Sequence, residues 1–278
     1  MLNSLDIRSL LREHGLRPKK ELGQNFLVDD IYLLRIVEAA GVAEGDEVLE
    51  IGAGVGSLTR YLCLHSGRVT AVELDPDLIP ILRDVLASYE NLKIVEGDIM
   101  QLEPEYLVMA PGYKIVANIP YYLTSNLIRR LLEAELRPSR LALTVQKEVA
   151  ERICAEAGEM SLLSLSVQVY GEPRITLEIP AGAFFPVPNV DSALLTVDLL
   201  PEPRISRKYL DSFFQLSKSA FAQKRKMLHN SLAAAPGIDN ERAHLLLEEA
   251  GIDGRRRPQT LDLEEWERLS RLYSPLRL

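Results

Sequence analysis

A carboxamide, a proline and two aromatic rings stand together after an apolar run in the middle of the chain. The segment is Asn118-Ile119-Pro120-Tyr121-Tyr122, and residues 114–117 before it have the pattern of a strand. Open α/β sheets bind ligands at the carboxyl ends of their strands. There, an amide oxygen can accept an N–H from an amine, and aromatic rings can stack on a base. The same residues also fit a simple turn with its rings packed on the core, because Asn and Pro are frequent in turns.

A glycine-rich turn occurs earlier in the chain. A short apolar strand, 47–51, leads into Gly52-Ala53-Gly54-Val55-Gly56, and the pattern predicts a helix over 57–65. Closely spaced glycines permit a tight turn and bring a ligand close to the helix N-terminus. The spacing is G-x-G-x-G rather than the G-x-G-x-x-G of dinucleotide sites, which disfavours a nicotinamide cofactor.

Acidic residues end the next two predicted strands. Glu73 follows strand 68–72, roughly twenty residues after the first glycine, where an acidic group binds ribose hydroxyls in related folds. Asp98 follows strand 92–95, and its carboxylate can accept from an exocyclic amino group such as that of adenine. Together with the glycine turn, the two acids predict an adenosine-binding site.

The order of the predicted elements indicates an α/β fold. Helical and strand patterns alternate as far as residue 157, and residues 160–170 are predicted to be helical. Two β-rich runs follow at 174–179 and 193–199. We therefore expect a Rossmann-like, mostly parallel sheet whose last strand is antiparallel.

The spacing of apolar residues changes after Pro201-Glu202-Pro203. Beyond this point it is helical, which predicts a small all-α C-terminal domain. We place the catalytic domain at 1–202 and the helical, RNA-binding domain at 203–278. The helices predicted in the second domain span 209–216, 219–232, 240–250 and 263–273.

Composition and charge narrow the class of protein. Of 278 residues, 47% are hydrophobic and 26% are charged, as in ordinary globular proteins. No apolar run is long enough to cross a bilayer and no signal peptide is evident, so we expect a cytoplasmic protein without a membrane partner. Cys63 and Cys154 fit reduced, buried thiols, and the four scattered histidines predict no metal site.

The net charge of −8 conceals two basic clusters near the C-terminus. These are Lys224-Arg225-Lys226 and Arg255-Arg256-Arg257. Contacts with phosphate depend on charges within a Debye length of about 10 Å rather than on the total, so both clusters are candidates for RNA binding. Each also fits a solvated surface without a partner.

Taken in order, these motifs resemble those of the ribosomal RNA adenine dimethyltransferases, in particular the bacterial small-subunit enzymes (KsgA/RsmA family). The resemblance extends from about Lys19 to the C-terminal tail. Its motifs are Gly23-Gln24-Asn25-Phe26-Leu27, Glu50-Ile51-Gly52-Ala53-Gly54-Val55-Gly56, Glu73, Gly97-Asp98, Asn118-Ile119-Pro120-Tyr121, 184–192, 221–228 and 257–261.

The resemblance implies S-adenosylmethionine as cofactor and N6 of adenine as the methyl acceptor. It also implies that residues 23–27 form a flap over the cofactor and that two rings stack on the target base. The cofactor-binding residues would be Gln24, Asn25, Leu27, Gly52, Gly54, Glu73, Asp98 and Asn118. The catalytic residues would be Asn118, Pro120, Tyr121 and Phe184. The RNA-binding residues would be Lys224, Arg225, Lys226, Arg255, Arg256 and Arg257, with Lys19 and Lys20.

The expected product is N6,N6-dimethyladenosine at two adjacent adenosines near the 3′ end of small-subunit ribosomal RNA. The Asn118 oxygen would accept one N–H of the amine, and the Ile119 or Pro120 carbonyl would accept the other. A base is not required for attack, because the amine becomes acidic only afterwards and can lose its proton to water. The expected partner is ribosomal RNA within a 30S assembly intermediate, and we expect a monomer.

Three other functions are compatible with parts of the sequence. The sister group that dimethylates large-subunit RNA shares the Asn-Ile-Pro-Tyr core. A noncatalytic assembly or transcription factor could keep the fold, although intact Glu73, Asp98 and Asn118 favour an enzyme. A nicotinamide dehydrogenase is disfavoured by the glycine spacing and by the lack of a candidate proton donor.

Overall fold

The structure is a computed structural model that describes residues 4–119, 124–223 and 225–273, with backbone only for 124–126. Its strands are β1 (Phe26–Leu27), β2 (Glu47–Ile51), β3 (Arg68–Glu73), β4 (Leu92–Glu96), β5 (Lys114–Asn118), β6 (Arg140–Gln146), β7 (Gly171–Ile179), β8 (Phe184–Phe185) and β9 (Ser192–Leu199). Its helices are α1 (Ile7–Glu13), α2 (Asp30–Ala39), α3 (Ser57–His65), α4 (Ile79–Val85), α5 (Thr124–Glu133), α6 (Lys147–Ile153), α7 (Leu162–Gln168), α8 (Arg207–Ala222), α9 (Leu228–Leu232), α10 (Asn240–Glu249) and α11 (Leu263–Tyr273).

The main sheet has seven strands in the order β4-β3-β2-β5-β6-β9-β7. The pairs β3–β4, β2–β3, β2–β5 and β5–β6 are parallel, and β9 runs antiparallel to β6. This confirms the predicted mostly parallel sheet with an antiparallel strand late in the chain. The strand order reverses between β2 and β5, so the crevice at their carboxyl ends is the expected ligand site.

The central strands are apolar because both faces of the sheet are covered. Leu49 of β2 and Ile115 and Val116 of β5 are completely buried. Helices α2 and α3 pack one face, where Leu33, Ile36 and Leu62 join the same hydrophobic cluster as Val116. Helix α2 begins at the cap Asp29, whose side chain accepts the N–H of Ile31 at 2.9 Å.

A two-stranded ribbon joins the N-terminal segment to the loop before β9. In this ribbon β1 pairs antiparallel with β8, with Phe26 opposite Phe185 and Leu27 opposite Phe184. The N–H of Val28 continues the pairing to the carbonyl of Ala183 at 2.9 Å. The polar sequence before Phe26 is therefore followed by a strand, although only a very short one.

The chain forms two compact units, Met1–Ala150 with Glu172–Leu199 and Glu151–Gly171 with Leu200–Leu278. Residues 151–171 thus group with the C-terminal helices, because hydrogen bonds join them to that part of the chain. The N–H groups of Gly158 and Met160 donate to the carbonyl of Gln259 at 2.9 and 3.2 Å, and that of Arg204 donates to Val169 at 2.8 Å. The division at residue 202 and the roles given to the two parts stay predictions.

The helical pattern of the second unit differs from the sequence prediction at one place. The chain continues as a single helix, α8, through the predicted break near residue 217, and it breaks instead between Ala222 and Leu228. Ser217 does not interrupt the helix because its buried hydroxyl donates to the carbonyl of Phe214 at 3.3 Å. Arg225 and Lys226 consequently lie in an exposed turn rather than on a helix.

Candidate functional site

The crevice at the strand order reversal contains a cavity within the first unit. Its walls come from the carboxyl ends of β2, β3, β4 and β5 and from the segment that precedes β1. The lining residues are Leu22, Gly23, Gln24, Asn25, Phe26, Ile51, Gly52, Gly54, Val72, Glu73, Leu74, Leu78, Gly97, Asp98, Ile99, Asn118 and Ile119. This set includes every predicted cofactor-binding residue except Leu27.

The glycine turn is close-packed where it meets the cavity. Gly54 has φ +59°, and a Cβ built on it would lie 3.1 Å from the ring of Phe26. Gly52 has φ +78°, and its Cβ would lie 3.4 Å from the carbonyl oxygen of Asn118. Only glycine combines this left-handed backbone with such close neighbours. The turn therefore brings β2 directly against the flap and against the end of β5.

Glu73 ends β3 with a buried carboxylate that organises the turn. Its Oε2 accepts the N–H of Gly54 at 2.6 Å and its Oε1 accepts the N–H of Asp75 at 2.8 Å. Burial raises the pKa of Glu73 above the ordinary value, although the N–H groups of Asp75 and Gly54 oppose the rise. Each carboxylate oxygen keeps a further lone pair, which can accept a hydroxyl from the cavity.

Asp98 stands at the next strand end. Its Oδ1 accepts the N–H of Met100 at 2.8 Å, and its Oδ2 lies 3.4 Å from Nε2 of Gln101. Apolar side chains that sequence reasoning did not assign to the site follow both acids, because Leu74 comes after Glu73 and Ile99 after Asp98. Their position directly after a strand-end acid was the available signal. They give the cavity apolar walls suited to a flat ring beside the acceptors.

Asn118 is held by the flap. Its Nδ2 donates to the backbone carbonyl of Asn25 at 2.9 Å. Because the nitrogen is engaged, the amide orientation is determined and the Oδ1 atom remains an acceptor for another group. Asn118 thus combines the two features its predicted role requires, a defined orientation and an available oxygen.

A second set of polar contacts fastens the flap to β3. The buried carboxylate of Asp75 accepts Nζ of Lys19 at 2.6 Å and Nε2 of Gln24 at 2.7 Å. Lys19 also contacts Asp77 at 2.7 Å, and these carboxylates raise its pKa. Lys19 was predicted to contact RNA phosphates, but the structure places its charge on two aspartates of its own domain. We refer to Lys19, Gln24 and Asp75 as the flap latch.

The other predicted site residues are less directly placed. Leu27 and Phe184 are 5% and 2% exposed, and both pack in the core cluster that includes Val116. Among the described residues, neither lines the main cavity, although Leu27 lines a smaller cavity beside it. Pro120 and Tyr121 lie outside the described residues, so stacking of Tyr121 and Phe184 on a base stays a prediction.

The predicted RNA-binding residues differ in what they contact. Arg225, Lys226 and Arg257 are exposed, and Lys224 lies outside the described residues. Arg255 pairs with Asp253 at 3.0 Å on the surface. The guanidinium of Arg256 contacts the carboxylate of Glu265 and the carbonyl of Thr260, so it joins the 258–260 turn to α11.

The parallel sheet with one antiparallel strand, the glycine turn and the acids at successive strand ends define a Rossmann-like methyltransferase. The 23S rRNA methyltransferase ErmE has this fold with a TM-score of 0.72 at 29% identity, covering 89% of this chain and 99% of ErmE. A dimethyladenosine transferase from Plasmodium falciparum, 24% identical, shares the fold with a TM-score of 0.77 over 90% of this chain and 98% of its own.

The chain belongs to the ribosomal RNA adenine dimethylase family, whose sequence model matches residues 15–273. It is therefore an enzyme of the methyltransferase class. It is 40% identical over 269 residues to the ribosomal RNA small subunit methyltransferase A of Dehalococcoides mccartyi, covering 96% of this chain and 92% of the relative. The protein of that name from Moorella thermoacetica is 39% identical over 274 residues, or 95% of each chain.

Proposed function

We propose that this protein transfers methyl groups from S-adenosylmethionine to N6 of two adjacent adenosines near the 3′ end of small-subunit ribosomal RNA. Each target base would become N6,N6-dimethyladenosine. Membership of the adenine dimethylase family supports the reaction, and the relatives named small subunit methyltransferase A support the substrate. The observation that carries the proposal is Asn118, held at the strand order reversal by its bond to Asn25 with its oxygen free to accept.

The residues around the cavity fit the cofactor. Glu73 would accept the ribose hydroxyls and Asp98 the adenine amino group, between the apolar walls Leu74 and Ile99. Gly52 and Gly54 permit close approach, while the flap residues 24–27 cover the reactive end. S-adenosylmethionine supplies an electrophilic methyl group there.

Catalysis would depend on positioning. The Asn118 oxygen accepts one N–H of the target amine and directs the nitrogen lone pair towards the methyl carbon. Holding both reactants in this pose is worth roughly 7–11 kcal/mol. A second acceptor, the Ile119 or Pro120 carbonyl, stays a prediction, as does stacking by Tyr121 and Phe184.

Large-subunit RNA is the alternative substrate, and ErmE is named for it. The small subunit is favoured because relatives with that name are about 40% identical over nearly the whole chain, against 29% for ErmE. A noncatalytic RNA-binding role is disfavoured by the intact arrangement of Glu73, Asp98 and Asn118 around one cavity.

The test is transfer of labelled methyl groups to unmethylated small subunits, with large subunits alongside and dimethyladenosine identified by mass spectrometry. Label in small-subunit RNA supports the proposal. Label in large-subunit RNA alone would identify the alternative substrate. Binding of cofactor and subunits without any transfer would leave an assembly factor and contradict the catalytic role.

We further propose that the substrate is a 30S assembly intermediate, that the protein acts as a monomer and that it works in the cytoplasm. A preassembled particle suits a protein of net charge −8, because such a protein binds naked RNA weakly. Within the described part of the chain, no helix is sufficiently long and apolar to span a bilayer. Cosedimentation of the protein with assembly intermediates and mature small subunits would test the partner.

The exposed basic turn and Arg256 should respond differently to substitution. Changing Arg225 and Lys226 to alanine should weaken subunit binding and lower its salt dependence by about one per lost phosphate contact, without changing thermal stability. Arg256→Ala should instead lower the melting temperature, because Glu265 loses its charged partner, at a cost of about 1–3 kcal/mol. Binding titrations at several salt concentrations and thermal unfolding separate the two effects. Equal loss of subunit affinity in both variants would contradict this distinction.

The flap latch should control cofactor affinity. Lys19→Met leaves the buried Asp75 without its cationic partner, so the flap should loosen and KM for S-adenosylmethionine should rise roughly ten-fold, or about 1.4 kcal/mol. Lys20→Met is the matched control because Lys20 is exposed, and its KM should stay at the wild-type value. Steady-state kinetics with saturating subunits give both numbers. If Lys19→Met changed only subunit affinity, Lys19 would be an RNA contact after all.

A further inference from the structure

Polar side chains lie beside Asn118 on one buried face of the sheet. The register pairs Glu50 of β2 with Val116 of β5, so Asn118, two residues later on β5, shares the face of Glu50. Thr144 of β6 is the register partner of Asn118. Glu50 is 1% exposed and Thr144 is fully buried. A polar row therefore crosses an otherwise apolar layer beneath the candidate site.

Oxygen atoms in this region lack hydrogen-bond partners. Among the described residues, none contacts Glu50 Oε2, Ser57 Oγ or Thr144 Oγ1, although all three atoms are buried. An unsatisfied buried polar group costs about 1–3 kcal/mol, and internal water is the usual partner of such groups. These atoms indicate that water belongs in this part of the protein.

A small cavity connects Glu50 to the catalytic end of the site. Its lining includes Glu50, Ser57, Gly52, Gly54 and Asn118. The volume, about 30 Å³, is enough for one or two water molecules. The cavity shares the two glycines and Asn118 with the main cavity, so the two cavities have a common wall. Water in the small cavity would lie between the Glu50 carboxyl and the position of the target amine.

Dimethylation places a chemical demand on this region. Each transfer leaves a proton too many on N6, and a second transfer requires the nitrogen lone pair again. The first proton must therefore leave N6 before the second methyl group can be added. The flap covers the site, so an acceptor inside the protein shortens the path. Glu73 is less suited, because both of its carboxylate oxygens already accept backbone N–H groups.

We propose that Glu50 accepts the proton released from N6, through water held in the small cavity, and thereby permits the second methyl transfer. This inference rests on the function proposed above. The N6 lone pair forms the bond to the methyl carbon while the carbon–sulfur bond breaks, and its electron pair stays on sulfur. The N6 proton then passes to water, and a proton from that water passes to the Glu50 carboxylate. Glu50 loses the proton to solvent when the site opens for cofactor exchange.

The surroundings of Glu50 suit a group that binds and releases a proton in each cycle. Burial raises the pKa of Glu50 to about 8, the charge of Glu73 on β3 adds to the rise, and the Thr59 hydroxyl on α3 opposes it. Cys63 on α3 is the other titratable group that interacts with this carboxyl. A pKa close to the working pH is the most effective one for proton exchange.

The test compares wild type, Glu50→Gln and Glu96→Gln on unmethylated small subunits from about pH 6 to about pH 9. Glu96 is an exposed glutamate at the end of β4, so its variant controls for loss of one charge. Mass spectrometry gives the ratio of monomethyladenosine to dimethyladenosine. In wild type and Glu96→Gln, the dimethyl fraction should increase with pH up to about 8. In Glu50→Gln it should not depend on pH, and monomethyladenosine should accumulate because the second transfer slows at least ten-fold.

Four outcomes are informative. A wild-type ratio and pH profile in Glu50→Gln would overturn the inference. A raised KM for S-adenosylmethionine with an unchanged ratio would also overturn it and make Glu50 a cofactor ligand. If the variant does not fold, the wild-type profile decides, since a dimethyl fraction independent of pH excludes a titrating acceptor. Absence of any transfer by wild type would contradict the proposed function itself, and the inference with it.

Discussion

Replacing Asn118 with alanine should reduce kcat for methyl transfer by about 10²–10³-fold, the usual effect of removing one preorganised polar group from a reacting centre. The variant loses the oxygen that orients the target amine and also the 2.9 Å bond from Nδ2 to the carbonyl of Asn25. Cofactor binding should weaken much less, because Glu73 and Asp98 remain in place. Single-turnover transfer to small subunits and equilibrium binding of S-adenosylmethionine measure the two effects separately.

The matched control for this substitution is Asn240→Ala. Asn240 is exposed at the start of α10, so its replacement should leave both measurements at wild-type values. Asn118→Asp is a useful intermediate, because it keeps an acceptor oxygen but loses the donor to Asn25. It should loosen the flap and retain more activity than the alanine variant. Near-normal kcat in Asn118→Ala would show that another group positions the amine.

Replacing Glu73 with alanine should weaken binding of S-adenosylmethionine by 100-fold or more. Two hydrogen bonds from the ribose to a charged acceptor are worth about 1.5–3 kcal/mol each, and each 1.4 kcal/mol is a factor of ten in affinity. The N–H groups of Gly54 and Asp75 lose their common acceptor as well, so the glycine turn should also lose its fixed form. Isothermal titration with S-adenosylmethionine and with S-adenosylhomocysteine measures the loss.

The affinity should also depend on pH in a defined direction. The carboxylate form of Glu73 is the one that accepts hydroxyls, and its pKa is raised. Wild-type affinity should therefore fall on acidification at a higher pH than an ordinary glutamate, near 4.3, would require. Glu96→Gln changes the register partner of Glu73 and should behave as wild type. Unchanged affinity in Glu73→Ala would exclude Glu73 as the ribose ligand.

Much of the site could be predicted because its signals are local. Each strand-end acid follows a short apolar run, and the glycine turn lies between a strand and a helix. Parallel strands place their carboxyl ends at one edge of the sheet, so strand order alone brings Glu73, Asp98 and Asn118 together. The structure confirms the mostly parallel sheet and places all three residues around one cavity.

Other features of the molecule could not be predicted from the motifs. The continuous helix α8 was wrongly divided because buried serine satisfies its hydroxyl within the helix, which residue type alone does not reveal. The assignment of 151–171 to the C-terminal unit depends on hydrogen bonds to residues far along the chain. Such contacts leave no periodicity in the sequence.

The sequence by itself determined the fold class, the family and the set of acids and glycines that could hold an adenosine-containing cofactor. Only the tertiary structure decided which charges are available, because pairing depends on residues distant in sequence. Lys19 belongs to Asp75 and Arg256 to Glu265, whereas Arg225 and Lys226 are exposed. Burial likewise separates Glu50, with its raised pKa beneath the site, from an ordinary strand glutamate.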